Sequence, residues 1–169
     1  MIAKFNDKMP VVDKPSFIAD NAVITGDVTI KEDANIWYGA VLRGDIDPIV
    51  VGKGSNIQDG CILHTSEGTP CLVGDNVTVG HGVILHGCVI EDNCLIGMGA
   101  TVLDGAVIGK ESIVGACALV TKGKKFPPRS MIIGSPAKAV RTLTDEEVAG
   151  LHSHPVHYVE VARATEASR

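Results

Sequence analysis

LIGMGATVLDGAVIGKESIVGACALV, residues 95–120, decides the fold. Ile96, Val102, Ile108, Val114 and Val120 stand six apart, and Ala100, Ala106, Ser112 and Ala118 follow the first four of them by four positions. An α-helix would return its apolar residues every 3.6 positions and would be weakened by the many Gly, Asn and Asp residues. Antiparallel hairpins would need turn residues every eight to twelve positions. A strict period of six fits neither. It is the repeat of a parallel β-helix, in which six residues form one side of a triangular coil and three such units make a turn.

The period runs far beyond this stretch. Ile18, Ile24, Ile30, Ile36 and Leu42 open the series, Val51, Ile57 and Leu63 continue it, and Val73, Val79 and Leu85 follow. One five-residue step reaches Ile90, and the period resumes at Ile96. Small or β-branched residues again sit four positions on, at Ala22, Val28, Ala34, Ala40, Val77 and Val83. Two steps are long: nine residues from Leu42 to Val51 and ten from Leu63 to Val73. The second predicts a bulge around Thr65–Pro70.

Composition agrees with layered β structure. Of 169 residues, 45% are hydrophobic and only 4% aromatic, so the core must be built from Val, Ile, Leu and Ala. A net charge of -5 offers no basic patch for nucleic acid or an anionic membrane. No window approaches the ~18 consecutive apolar residues of a membrane span, and MIAKFNDKMP lacks a secretory apolar core, so a cytoplasmic protein is the expectation. Cys61, Cys71, Cys88, Cys94 and Cys117 are odd in number and lack CxxC spacing, which predicts reduced, buried thiols. One domain is expected: an irregular lead-in over 1–16, a β-helix over 17–122, an extended connection over 123–143 and a helical segment over 144–167.

RGD at 43–45, QDGCILH at 58–64, GHGVILHG at 80–87 and GSPAK at 134–138 resemble the gamma-class carbonic anhydrases, including their short bacterial relatives. The resemblance covers nearly the whole chain. It implies a mainly β fold, a left-handed parallel β-helix of hexapeptide repeats with a C-terminal α-helix packed alongside. It also implies a homotrimer with metal at its interfaces and the hydration of carbon dioxide to bicarbonate.

Counting the repeat places the site residues. Leu85 lies one full turn above Leu63, so His86 and His64, each one position later, stack at about the strand spacing of ~4.8 Å. Arg43 joins that column one coil below. On another side Gln58 lies under Gly80 and Asp59 under His81. Two stacked histidines make an incomplete metal site, because catalytic zinc usually takes three protein ligands and keeps one position open. A ring of subunits would bring His81 of one to His64 and His86 of the next, and a three-sided prism suggests three. All three histidines match the family's ligand positions. Zn2+, or Fe2+ or Co2+, at each interface suits three imidazoles.

The resemblance gives Gln58 the orientation of reacting water or bicarbonate. Arg43 and Asp59 are candidates for an ion pair across the interface, with Asp45 in their network; a purely structural bridge is at least as good a reading. Ile46 stands where the archetype carries one of two glutamates for proton transfer, and Glu67 matches the other in spacing only, so it equally reads as a solvated loop carboxylate. His152, His154 and His157 read as surface or hydrogen-bonded residues, not ligands.

After Val120, Pro-Pro and Gly-Ser-Pro rule out a helix. Thr144 with Glu147 is a capping box that opens one. Pro155 predicts a break or kink, with a second run from Val156 to about Thr165. Val148, Leu151, Val159 and Ala162 give an apolar face. Tyr158 lies where short relatives place a site-facing tyrosine, and it reads equally as helix packing. Two other functions remain open: acyl-CoA transfer or thioester hydrolysis, which hexapeptide proteins also perform, and a catalytically weak metal-binding scaffold.

Overall fold

The computed structural model describes residues 1–169 and is a parallel β-helix of about seven turns with one C-terminal helix. The six-residue period becomes three columns of stacked, inward-facing aliphatic side chains. Leu42, Leu63, Leu85, Val102 and Val120 pair in succession on one side. Val51, Val73, Ile90, Ile108 and Phe126 do so on the second. Ile36, Ile57, Val79, Ile96, Val114 and Ile132 form the third. All but Phe126 are buried. The small residues four positions on are buried as well, since they turn the corner where a larger side chain would not fit.

Corners need left-handed backbone. At one of them Gly39, Gly60, Gly82 and Gly99 stack with positive φ, and Cys117 takes the same place one coil higher at φ 57. A corner residue points its side chain outward. Cys117 is therefore exposed, contrary to the expectation of five buried thiols, while the other four cysteines are buried and free. Burial pushes the Cys61 thiol up to about 11 and that of Cys94 to about 12, so both stay protonated and inert.

Three further expectations need correction. The first residues are more ordered than a lead-in: Ile2–Ala3 and Val11–Val12 pair in parallel with the strand Val23–Ile30 and complete the lowest coil. The coil also runs past residue 122, through Lys125–Phe126 and Ser130–Gly134, before Ala137–Thr142 folds back antiparallel on the latter.

Pro155 does not break the helix, which runs unbroken from Asp145 to Ala167. Proline in a helix interior costs on the order of 3 kcal/mol. Burial of Leu151, Pro155 and Ala162 against one sheet, on both sides of the proline, offsets that cost. Thr144 caps the helix as expected, accepting from the Glu147 backbone while the Glu147 side chain accepts from the Thr144 N–H. Arg141 adds a two-pronged ion pair, and together these bonds hold Glu147 down to about 2.

Candidate metal centre

His64 and His86 close the strands Ile62–His64 and Ile84–His86, which pair residue for residue. Their side chains point outward because the preceding leucines point in. Nδ1 of His64 lies 3.0 Å from Nε2 of His86. The other nitrogen of each ring is held by a carboxylate: Nε2 of His64 by Asp45 at 2.9 Å, and Nδ1 of His86 by Asp104 at 2.8 Å. Bonds from His86 foremost keep Asp104 below the usual carboxylate range, with Ser66 and the charge of Lys122 helping. For Asp45, burial acts in the opposite sense, but bonds from His64 and Arg43 outweigh it and its pKa is lowered too.

These carboxylates determine what the facing nitrogens can do. An ionised Asp accepts only, so His64 Nε2 and His86 Nδ1 carry the ring protons. The two inner nitrogens are then both bare, and lone pairs 3.0 Å apart repel unless a cation lies between them. A proton or a metal ion meets that need. Two imidazole ligands of a tetrahedral ion with bonds of ≈ 2.0–2.1 Å stand roughly 3.3 Å apart, close to the spacing found. The aspartates are the partners that ligand histidines ordinarily have.

His81 is built the same way on another side. Register places Thr78 and Val79 over Asn56 and Ile57, so His81 lies above Asp59, and its Nδ1 sits 2.9 Å from the Asp59 carboxylate. Its Nε2 is left outward. One chain gathers no group of three His, Cys, Asp or Glu side chains able to hold a metal, because the histidines are divided between two sides of the prism. Within one chain the three histidines do not converge on a common point.

Gln58 is buried one coil below Gly80, and its Nε2 donates to Oδ1 of Asn56 at 3.0 Å. Tyr158, from the helix, is half-buried beside it, edge-on to Trp37. Burial above all pushes the Tyr158 hydroxyl up, and the Asp59 charge adds to that, while a bond with Gln58 acts the other way. Arg43 stacks below His64 but pairs with Asp45 of its own chain, and Asp59 is taken by His81. The Arg43–Asp59 pair is thus not made within one chain. Glu67 stands exposed at the tip of the expected bulge, where Ser66 and Thr69 bridge and Gly68 turns at φ 72.

Two participants escaped the sequence reading. Asp104 follows inward Val102 by two positions, directly above Gly87, so the same count could have found it. His154 takes the hydrogen-bonded alternative: it is partly buried, with Nδ1 3.0 Å from the Thr78 hydroxyl, a partner that spacing did not point to. His152 and His157 are exposed as expected.

Comparison with known proteins fits this arrangement. The bacterial transferase hexapeptide (six repeats) family matches residues 87–122. A probable carbonic anhydrase of Methanocaldococcus jannaschii is 48% identical over 157 residues, covering 93% of this chain and 99% of its own. Mitochondrial gamma carbonic anhydrase 1 of Arabidopsis thaliana is 45% identical over 164 residues, or 94% of this chain; the match spans only 60% of the plant protein. The crystal structure of a hexapeptide transferase family protein from Anaplasma phagocytophilum superposes with a TM-score of 0.94 at 41% identity, covering 97% of each chain.

Proposed function

This chain belongs to the gamma-class carbonic anhydrase family, and from that premise we propose that it interconverts carbon dioxide and bicarbonate at metal sites shared between subunits of a cytoplasmic homotrimer. The observation that carries the reading is the facing pair of bare imidazole nitrogens on His64 and His86, with a third aspartate-held histidine, His81, on another side. A heterologous contact that sets the His81 side of one subunit against the His64–His86 side of the next closes as a ring. Zn2+ at each interface is the proposed metal, and Fe2+ or Co2+ suit the same ligands. When bound, the metal lowers the pKa of a water toward ~7, supplying hydroxide near neutral pH.

The remaining work falls to the chain. Asp45, Asp59 and Asp104 fix ring orientation, so the free nitrogens need no reorganisation before ligation. Gln58 turns one hydrogen of its NH2 to Asn56, and its Oε1 is left as an acceptor. It holds one hydrogen of the reacting water and aims the oxygen at the substrate carbon. Tyr158 borders the same space and limits water there. Glu67, exposed on its loop, takes the released proton to solvent, since Ile46 has no proton to exchange. Arg43 keeps Asp45 ionised.

Stopped-flow hydration of carbon dioxide by untagged protein of known metal content tests this. About one metal per chain and hydration well above buffer are expected. A metal-replete trimer with no activity would sink the proposal. Likeness to a hexapeptide transferase family protein favours acyl-CoA transfer as the second reading. Acyl transfer without hydration would promote it; metal binding without either activity would leave a scaffold.

A further inference from the structure

We propose that His154 is a positioning residue for Gln58, acting through Thr78 and Asn56. Its role in turnover rests on the carbonic anhydrase reading; the bonded ladder itself does not. Asn56 and Thr78 each precede an inward aliphatic residue, so their side chains point outward, where coils of this kind ordinarily meet solvent. Here they are buried, at 0% and 3% exposure, because the helix Asp145–Ala167 lies over them. Polar groups buried in this way destabilise the fold if left unpaired.

The ladder that satisfies them has a direction. Gln58 Nε2 donates to Asn56 Oδ1 at 3.0 Å, and Asn56 Nδ2 donates to Thr78 Oγ1 at 2.9 Å. A threonine hydroxyl has one hydrogen. With His154 in the tautomer that carries its proton on Nε2, which the proposal assigns, that hydrogen goes to His154 Nδ1 at 3.0 Å. Burial, with His157 nearby, lowers the pKa of His154, in keeping with a bare, accepting Nδ1.

The polarity of the far end follows. While His154 accepts, Thr78 can only receive from Asn56, Asn56 can only turn its oxygen to Gln58, and Gln58 must turn its NH2 away from the site and Oε1 toward it. Without an acceptor at 154, the Thr78 hydrogen is free to point at Asn56, whose amide then flips. Gln58 flips in turn and presents NH2 where the reacting water needs an acceptor.

The test compares wild type, His154→Leu, His154→Asn and Thr78→Val. Asparagine can place an acceptor near the original Nδ1 position, and leucine cannot. Two quantities are read: the side-chain amide resonances of Asn56 and Gln58 in the metal-free protein, and kcat and KM for hydration in the metal-loaded one. His154→Leu and Thr78→Val should both move the amide resonances and lower kcat about 10-fold at unchanged metal content, with KM within about 2-fold. His154→Asn should restore both. Resonances unmoved in His154→Leu, a shift without loss of kcat, or failure of asparagine to rescue would each overturn the proposal. If wild type proves inactive while the resonances move as described, the ladder stands and the assigned reaction is what fails.

Discussion

Two sides of the prism are built from the same six-residue unit and finish in different states. On the first, His64 and His86 face each other at 3.0 Å, with side chains only 15% and 30% exposed. On the other, His81 is 48% exposed and has Asp59 as its one charged partner. The causes are local. Long steps beside the first side supply Asp45 and the Ser66–Thr69 loop, which wall the pair in. Above Gln58 the other side carries Gly80, where an added Cβ would come within 2.9 Å of the Ile96 carbonyl oxygen, so the residue preceding His81 has no side chain to cover its ring. One chain therefore brings two of the three candidate histidines together and leaves the third on another side.

The largest expected effect comes from erasing either side. His64→Ala and His81→Ala should each abolish metal retention and lower hydration by about 100-fold or more. Mixing the two variants after dissociation should restore metal at about a quarter of the interfaces, those pairing two intact sides. Elemental analysis of the mixture reads this directly, and recovery of nothing would place all three histidines in one chain's site.

Loss of a supporting carboxylate should be milder. Asp104→Asn is expected to weaken metal affinity ~10–100-fold in a chelator competition without dissociating the assembly. Gly87→Ala attacks the same bond from below. Its Cβ would lie 2.4 Å from Asp104 Oδ1 and 2.8 Å from Thr69 Oγ1, at φ +54, and a loss of about 1–3 kcal/mol in thermal or denaturant unfolding should result.

The smallest effect is on acid stability of the metal-free protein. Asp45 and Asp104 have pKa values lowered on folding, so they stabilise the fold above the ordinary carboxylate value of 3.8 and lose that contribution as pH falls below it through their folded values. Acid titration monitored by circular dichroism should show a shallower loss below that pH in Asp104→Asn.

Much of this was legible from spacing alone. An inward position every six residues admits few side chains, so the aliphatic series reports the coil, and counting coils puts His64 under His86 and Asp59 under His81. Residues whose role depends on docking were not legible. His154 meets Thr78 only because the helix continues through Pro155, and a local rule about proline argued against that. Asp104 looks like any acidic corner residue until Gly87 beneath it is seen to leave the gap through which it reaches His86. Cys117 shares its hydrophobic chemistry with four buried thiols, and only the backbone turn at its position sets it apart.

The antiparallel strand Ala137–Thr142 has a consequence for assembly. Parallel coils end in a row of open amides and carbonyls, a template onto which another chain could add and grow a fibre. Here the last parallel strand of the eight-stranded sheet, Ser130–Gly134, is paired by Ala137–Thr142 of the same chain running the opposite way. On that sheet a further parallel coil therefore meets an antiparallel edge strand in place of the open end of the coil stack.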